Sequence, residues 1–197
     1  MISIFKCNSS NIASVQSSLK RLGLFETDED LTNRRKKFFL PGVSSFDSYV
    51  LSLNENNVQS FLINNKNIDI IGICAGAQVL FESSEEGKEA GLGLFPGRVK
   101  KIATSSNIKV PHLGWNKIVL NKNHPMSHLF DGIDFEGKKF YFSHSYRFPD
   151  SEHALAYVDY GERFPVVIAK NNIIAIQFHP EKSYGQGLKF LKNICDL

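Results

Sequence analysis

Cys74 stands inside Gly72-Ile73-Cys74-Ala75-Gly76, directly after the apolar run Ile68 to Ile73. A glycine two residues before and two after a nucleophilic side chain fits a strand–turn–helix elbow, here with cysteine in the serine position. The glycines serve a tight turn, because a Cβ on either side would collide with neighbouring backbone. Such a turn lifts the sulfur out of the sheet and sets it at a helix N-terminus, whose partial positive charge favours thiolate. It also aims the Ala75 N–H at the place where an oxyanion would form. The competing reading is a buried structural cysteine, since free cysteine is commonly buried.

A thiol nucleophile needs a base on a rigid support. Ile176-Gln177-Phe178-His179-Pro180-Glu181 ends the last apolar strand and offers one. Pro180 biases His179 toward extended backbone. Glu181, two residues on, can reach the second ring nitrogen, fix the tautomer and stabilise imidazolium. One histidine at a strand end is more often structural; elbow cysteine and His-x-Glu together are far more specific. His124 and His128 have i, i+4 spacing, but Pro125 and neighbouring turn residues favour a loop over a metal site. No metal or cofactor is expected, and His153 has no evident role.

These residues need a scaffold. Ile2–Lys6 predicts a strand. Asn11–Leu22 has helical spacing at Ile12, Val15, Leu19 and Leu22, with Asn11 as a cap and Gly23 as a stop. Lys37–Leu40 predicts a strand, Ser45–Leu62 a helix in two pieces, and Ile68–Ile73 a strand covered on both faces. Another helix begins just after Cys74. Short strands follow at Lys117–Leu120, Lys139–Ser143, Ala154–Tyr160, Val166–Lys170 and Ile173–Phe178, then a helix at Ser183–Ile194. The pattern is a single three-layer α/β domain over 1–197, with a mostly parallel central sheet and an additional antiparallel section.

The 197 residues suffice for one domain with a substantial core. A net charge of +3 is too small to argue for nucleic acid. The basic run Arg34–Lys37 reads as a solvated approach to the next strand. Three cysteines at wide spacing make neither a disulfide framework nor a metal site and suit a reducing cytoplasm. Met1–Cys7 reads as a strand rather than a signal peptide, and no apolar stretch approaches a membrane span.

Five blocks in order, Leu40-Pro41-Gly42-Val43, Gly72–Gly76 through Gln78 to Ser84-Glu85-Glu86-Gly87, Val110–Asn116, Phe142–Tyr146 and Gln177–Ser183, resemble the class I glutamine amidotransferases. The resemblance covers nearly the whole chain. Pro111-His112-Leu113-Gly114-Trp115-Asn116 and Ser84-Glu85-Glu86-Gly87 are similar to the glutaminase subunits of imidazole glycerol phosphate synthase. The resemblance implies the flavodoxin-like fold of that family and a Cys74, His179, Glu181 triad acting through a γ-glutamyl thioester. It implies oxyanion donors from the backbone of Val43 and Ala75, and a glutamine pocket with Gly42, Gln78, Glu86, His144, Ser145 and Tyr146. Without the resemblance, the glutamine and glutamate would read as helix-surface residues and the tyrosine as core. It further implies a (β/α)8 cyclase subunit as heterodimer partner, making imidazole glycerol phosphate in histidine biosynthesis, with Asn11, Trp115 and Lys182 near the interface. For Trp115 a core aromatic is the bland alternative.

Three departures from the family pattern bear on the partner. Lys6–Ser10 replaces a glycine-rich turn, Ser44 replaces a glycine after Val43, and Ala75 and Ala77 replace larger side chains. They leave open a paralogue feeding ammonia to another synthase, such as amidine formation on surface-polysaccharide sugars. Two further classes stand beside it: a γ-glutamyl hydrolase or peptidase, and a non-catalytic interaction subunit.

Overall fold

A computed structural model describes residues 2–6, 12–24, 36–106 and 108–197. Cys7, Asn11, most of the Lys6–Ser10 stretch, and Arg34 and Arg35 of the basic run lie outside the described residues. The chain runs β1 (Ile2–Ile4), α1 (Ile12–Arg21), β2 (Lys36–Gly42), α2 (Phe46–Glu55), α3 (Val58–Asn64), β3 (Ile68–Cys74) and α4 (Ala75–Gln78). It continues as β4 (Phe81–Ser84), β5 (Phe95–Lys101), β6 (His112–Asn116), β7 (Val119–Leu120), β8 (Phe140–His144) and β9 (Tyr146–Arg147). Last come β10 (Ala154–Tyr160), β11 (Glu162–Lys170), β12 (Ile173–Ile176) and α5 (Tyr184–Cys195).

The central seven-stranded sheet has the order β1-β2-β3-β12-β11-β10-β7. Its first four strands pair in parallel and the remaining pairs are antiparallel. Strand alternation divides the core between two faces. Ile71 and Ile73 of β3 and Ile174 and Ile176 of β12 pack with Val15 and Leu19 of α1 and Phe190, Leu191 and Ile194 of α5. Ile68 and Ile70 pack on the opposite face with Phe46, Tyr49, Val50 and Leu53 of α2 and Leu62 of α3. All seven residues of β3 are buried, which explains a run that is apolar apart from Asp69.

Gly23 stops α1 at φ +68, within one turn of the helix end. Two small sheets, β4-β5-β9 and β6-β8, extend the fold beyond the expected elements. The helix after Cys74 is one turn of four residues, and the chain enters β4 almost at once. The expectation of a solvated basic run fails at Lys37. It is 6% exposed, and its Nζ donates to Asp69 at 2.9 Å. The reason is position: β2 lies between β1 and β3 and is covered on both faces. Among the described residues no helix is long and apolar enough to cross a membrane.

Candidate active site

Cys74 ends β3 with φ 54 and ψ −113, a conformation a side chain adopts only when its surroundings enforce it. The enforcement comes from two glycines. A Cβ on Gly76 would sit 1.8 Å from the Leu40 carbonyl oxygen, and one on Gly72 would sit 2.6 Å from Ala77 Cα. The elbow therefore has the close packing that its glycine spacing implies. The helix contribution to the sulfur is smaller than the sequence suggests, because a single turn aligns few peptide dipoles.

Gly42 is the register partner of Cys74 in the parallel pairing of β2 and β3, so Gly42-Val43 runs beside the elbow cysteine. Tyr49 supports that strand end by donating its hydroxyl to the Pro41 carbonyl at 3.0 Å. The segment beyond it is held by Glu86, whose Oε2 accepts the Phe46 N–H at 2.9 Å at the start of α2. Burial raises the Glu86 pKa above its ordinary value, the Phe46 N–H opposes that, and Asp47 adds to it. Glu86 thus caps α2 in the place that Ser45 leaves unfilled.

His179 Nδ1 meets Glu181 Oε1 at 2.8 Å, and both side chains are 2% exposed. Desolvation pushes the imidazole pKa down, but the negative charge and hydrogen bonding of Cys74, with Glu181 behind it, raise it to about 10. A thiolate at Cys74 and an imidazolium at His179 therefore stabilise each other. Its Nε2 and Glu181 Oε2 are buried without a well-formed hydrogen bond among the described residues. The sulfur is the ring's main electrostatic partner, yet the thiol instead lies 3.7 Å from the Ser143 carbonyl, to which it donates.

Strand β8 ties these groups together. The His179 N–H donates to the Tyr141 carbonyl at 2.8 Å. Ser183 Oγ donates to the His179 carbonyl at 2.6 Å and accepts the Tyr141 N–H at 3.0 Å. Ser143, two residues along the same strand, supplies the carbonyl at Cys74. Sequence reasoning missed Tyr141, Ser143 and Ser183 in these roles, because backbone groups and a serine carry them.

The remaining sequence-selected residues divide. Gln78 is buried and donates to the Tyr146 carbonyl and to Gln177 Oε1, both at 3.1 Å. His144 is buried, with Nδ1 on the Tyr146 carbonyl at 2.8 Å and Nε2 on His112 at 3.1 Å. Both ring nitrogens of His144 are committed to protein partners. The Ser145 carbonyl accepts the Ile102 N–H at 3.0 Å. Tyr146 is half-buried; desolvation, with Glu86 and Glu85, raises its phenol pKa. Gln177 has no exposure at all, a polar residue inside a strand-end run of isoleucines and a phenylalanine. That position was the available signal for it.

Trp115 is not a core residue. It is 39% exposed, stacks on Tyr184 at 4.9 Å, and meets the edge of Tyr141 at 5.6 Å. Lys182 Nζ lies 5.7 Å from the Tyr141 ring centroid. The structure thus gathers Trp115 and Lys182 around Tyr141, whose backbone holds His179, while Asn11 lies outside the described residues. A groove of about 560 Å³ flanks Trp115, Tyr184 and Lys189 on this outer surface, away from Cys74. His124 Nδ1 accepts the Met126 N–H at 3.1 Å inside a turn, as the loop reading expects.

Residues 5–196 match the family model described as glutamine amidotransferase class-I. The chain is 39% identical over 197 residues to the imidazole glycerol phosphate synthase subunit HisH of Chromobacterium violaceum, covering 93% of this chain and 91% of that protein. It is 38% identical over 200 residues to the HisH of Buchnera aphidicola subsp. Schizaphis graminum, covering 100% and 99%. The Staphylococcus aureus strain bovine RF122 HisH is 36% identical over 195 residues, covering 98% and 95%. Among solved structures, a crystal structure of a glutamine amidotransferase aligns with TM-score 0.68 at 19% identity, covering 100% of this chain and 99% of that one. Another, from Thermotoga maritima, aligns with TM-score 0.59 at 14% identity, covering 99% and 81%. At those identities the structural matches speak for the fold.

Proposed function

Because the chain belongs to the class I glutamine amidotransferase family, an enzyme family, we propose that it hydrolyses L-glutamine with Cys74 as nucleophile, His179 as acid and base, and Glu181 as orienter. The observation that carries this reading is an elbow cysteine beside a buried imidazole that a buried carboxylate grips at 2.8 Å. His179 takes the Cys74 thiol proton, and the thiolate attacks the side-chain amide carbon of glutamine. Oxyanion charge falls on the N–H groups of Val43 and Ala75, one on each side of the Gly42–Cys74 register pair. The imidazolium gives its proton to the departing nitrogen, and ammonia leaves a γ-glutamyl thioester. Neutral His179 then takes a proton from water, which attacks the thioester and releases glutamate and thiolate.

Gly42, Gln78, Glu86, His144, Ser145 and Tyr146 form the glutamine pocket in this reading. The Glu86 carboxylate is the counter-charge it offers the substrate ammonium. The whole chain, 1–197, acts as one domain, since both core clusters share the seven-stranded sheet.

Ammonia passes to a (β/α)8 cyclase subunit in a heterodimer that makes imidazole glycerol phosphate in the cytoplasm. The HisH names of the relatives support this, as does the exposed Trp115–Tyr184 stack beside Lys182. The isolated chain is expected to be slow, because the resting thiol faces the Ser143 carbonyl rather than His179 Nε2.

The test is a glutaminase assay of the chain mixed with the histidine-pathway cyclase of the same organism, with and without the cyclase's nucleotide ligand. Strong stimulation is expected. With Cys74→Ala in the complex, glutamine-dependent synthesis should vanish while synthesis from added ammonia continues. Loss of both would sink the nucleophile role. No stimulation by a cyclase that is active on ammonia would instead point to the paralogous, amidine-forming reading.

A further inference from the structure

The hydrogen bonds behind Cys74 have only one consistent direction. The starting point is the Tyr146 carbonyl, which can only accept. Gln78 Nε2 donates to it at 3.1 Å and His144 Nδ1 at 2.8 Å, which uses both of its lone pairs. Gln78 Nε2 also donates to Gln177 Oε1 at 3.1 Å. The Gln177 amide is thereby fixed with its nitrogen toward Cys74 Sγ, 3.9 Å away.

The other end is equally constrained. Burial holds the His144 imidazole neutral, its pKa lowered to about 3 despite the Tyr146 carbonyl, and burial lowers that of His112 to about 4. A neutral His144 that donates at Nδ1 must accept at Nε2, so His112 donates from Nδ1 at 3.1 Å. The His112 ring is clamped between Phe142 at 4.4 Å and Tyr160 at 3.9 Å. No member of the chain can reverse without orphaning a buried polar group.

Two contacts at the sulfur favour opposite forms. The Ser143 carbonyl can be satisfied only by the thiol, whereas an amide N–H favours the thiolate. The His179 imidazolium acts in the same sense as the amide. We propose that Gln177 is a catalytic residue that stabilises the Cys74 thiolate by donating its amide N–H to Sγ, and that Gln78 is the positioning residue that turns that amide toward the sulfur. This rests on the reading of Cys74 as nucleophile. Both hydrogens of Gln78 Nε2 are committed, so any hold it takes on a substrate falls to Oε1.

The experiment measures the pH profile of Cys74 alkylation by iodoacetamide on the full chain, with Cys74 resolved by peptide mass spectrometry. Gln177→Met keeps the length of the side chain and removes the N–H. Its profile is expected to move up by about one pH unit, about tenfold slower alkylation on the rising limb. Gln78→Met should shift the profile in the same direction by less. The double variant should match Gln177→Met alone, since Gln78 acts through Gln177. An unchanged profile in a folded Gln177→Met protein overturns the proposal, and additive shifts overturn the role of Gln78. If Gln177→Met does not fold, an unchanged profile in Gln78→Met overturns the proposal. Alkylation needs no glutamine, so failure here is distinct from failure of the glutaminase reading, which Cys74→Ala decides.

Discussion

Gly42 lies opposite Cys74 in the register of β2 on β3, and Gly76 packs its Cα against the Leu40 carbonyl on the same neighbouring strand. The elbow and the segment beside it are therefore held together by close backbone contact. Gly76→Ala places a Cβ 1.8 Å from that oxygen. The expected loss is about 3 kcal/mol or more, the upper end of overpacking costs. Gly42→Ala meets the ring of the fully buried Tyr49 at 2.3 Å, so about 2–3 kcal/mol is expected as that ring is displaced. Gly137→Ala, where nothing lies within 4 Å, is the control. Urea denaturation of the three variants checks the ranking; equal losses at positions 76 and 137 would contradict it.

Glu181 holds His179 through Oε1, and its buried Oε2 has no well-formed hydrogen bond among the described residues. Glu181→Gln keeps the size and removes the charge that supports imidazolium. The expected outcome is a fall in kcat of roughly 10²-fold, the low end of general acid–base contributions, with KM little changed. Steady-state kinetics of the variant in its complex tests this. A change confined to KM would move Glu181 from the proton-transfer machinery to the substrate pocket.

Much of this was legible in the sequence because the informative residues are backbone devices. Gly72, Gly76 and Pro180 announce a tight elbow and an extended strand end, and His179 and Glu181 meet as their spacing implies. The strand pattern placed β3 and β12, since burial on both faces leaves runs that are apolar apart from Asp69. Other features were hidden for physical reasons. β4, β5 and β6 carry mixed residues with little period, because each belongs to a small sheet only partly covered. Lys37 read as solvated because its partner Asp69 is 32 residues away in sequence. Ser143 and Tyr141 act through carbonyls, which residue type does not reveal. His144 spends its two ring nitrogens on Tyr146 and His112, partners that its residue type alone does not reveal.

The His112–His144 pair also predicts how stability depends on pH. Burial lowers both pKa values, to about 4 and about 3. Their contribution is therefore fully present above the unfolded histidine value of about 6.5 and is lost as pH falls toward the folded values. Between those limits the unfolded chain binds protons that the folded one does not. Each neutral imidazole adds a slope of about 1.4 kcal/mol per pH unit. His112→Gln, which retains a donor for His144, should show a shallower fall of stability between about pH 6.5 and pH 4 than the parent protein. Urea midpoints measured across that range test it, and parallel curves would mean that His112 titrates normally.

Lys37 and Asp69 form a buried ion pair, with side chains 7% and 5% exposed and 2.9 Å between Nζ and Oδ2. Their strands are register neighbours, Lys37 lying opposite Asp69 in the β2–β3 ladder. Removing the ammonium takes from a buried carboxylate a partner 2.9 Å away, which costs more than the pair itself contributes. Lys37→Met should therefore destabilise by about 3 kcal/mol. Lys37→Met combined with Asp69→Leu should recover part of that loss, because the double variant no longer buries the carboxylate. Chemical denaturation at neutral pH measures both. If the double variant were no more stable than Lys37→Met, the cost would lie in lost packing around the lysine stem rather than in the partner lost to the carboxylate.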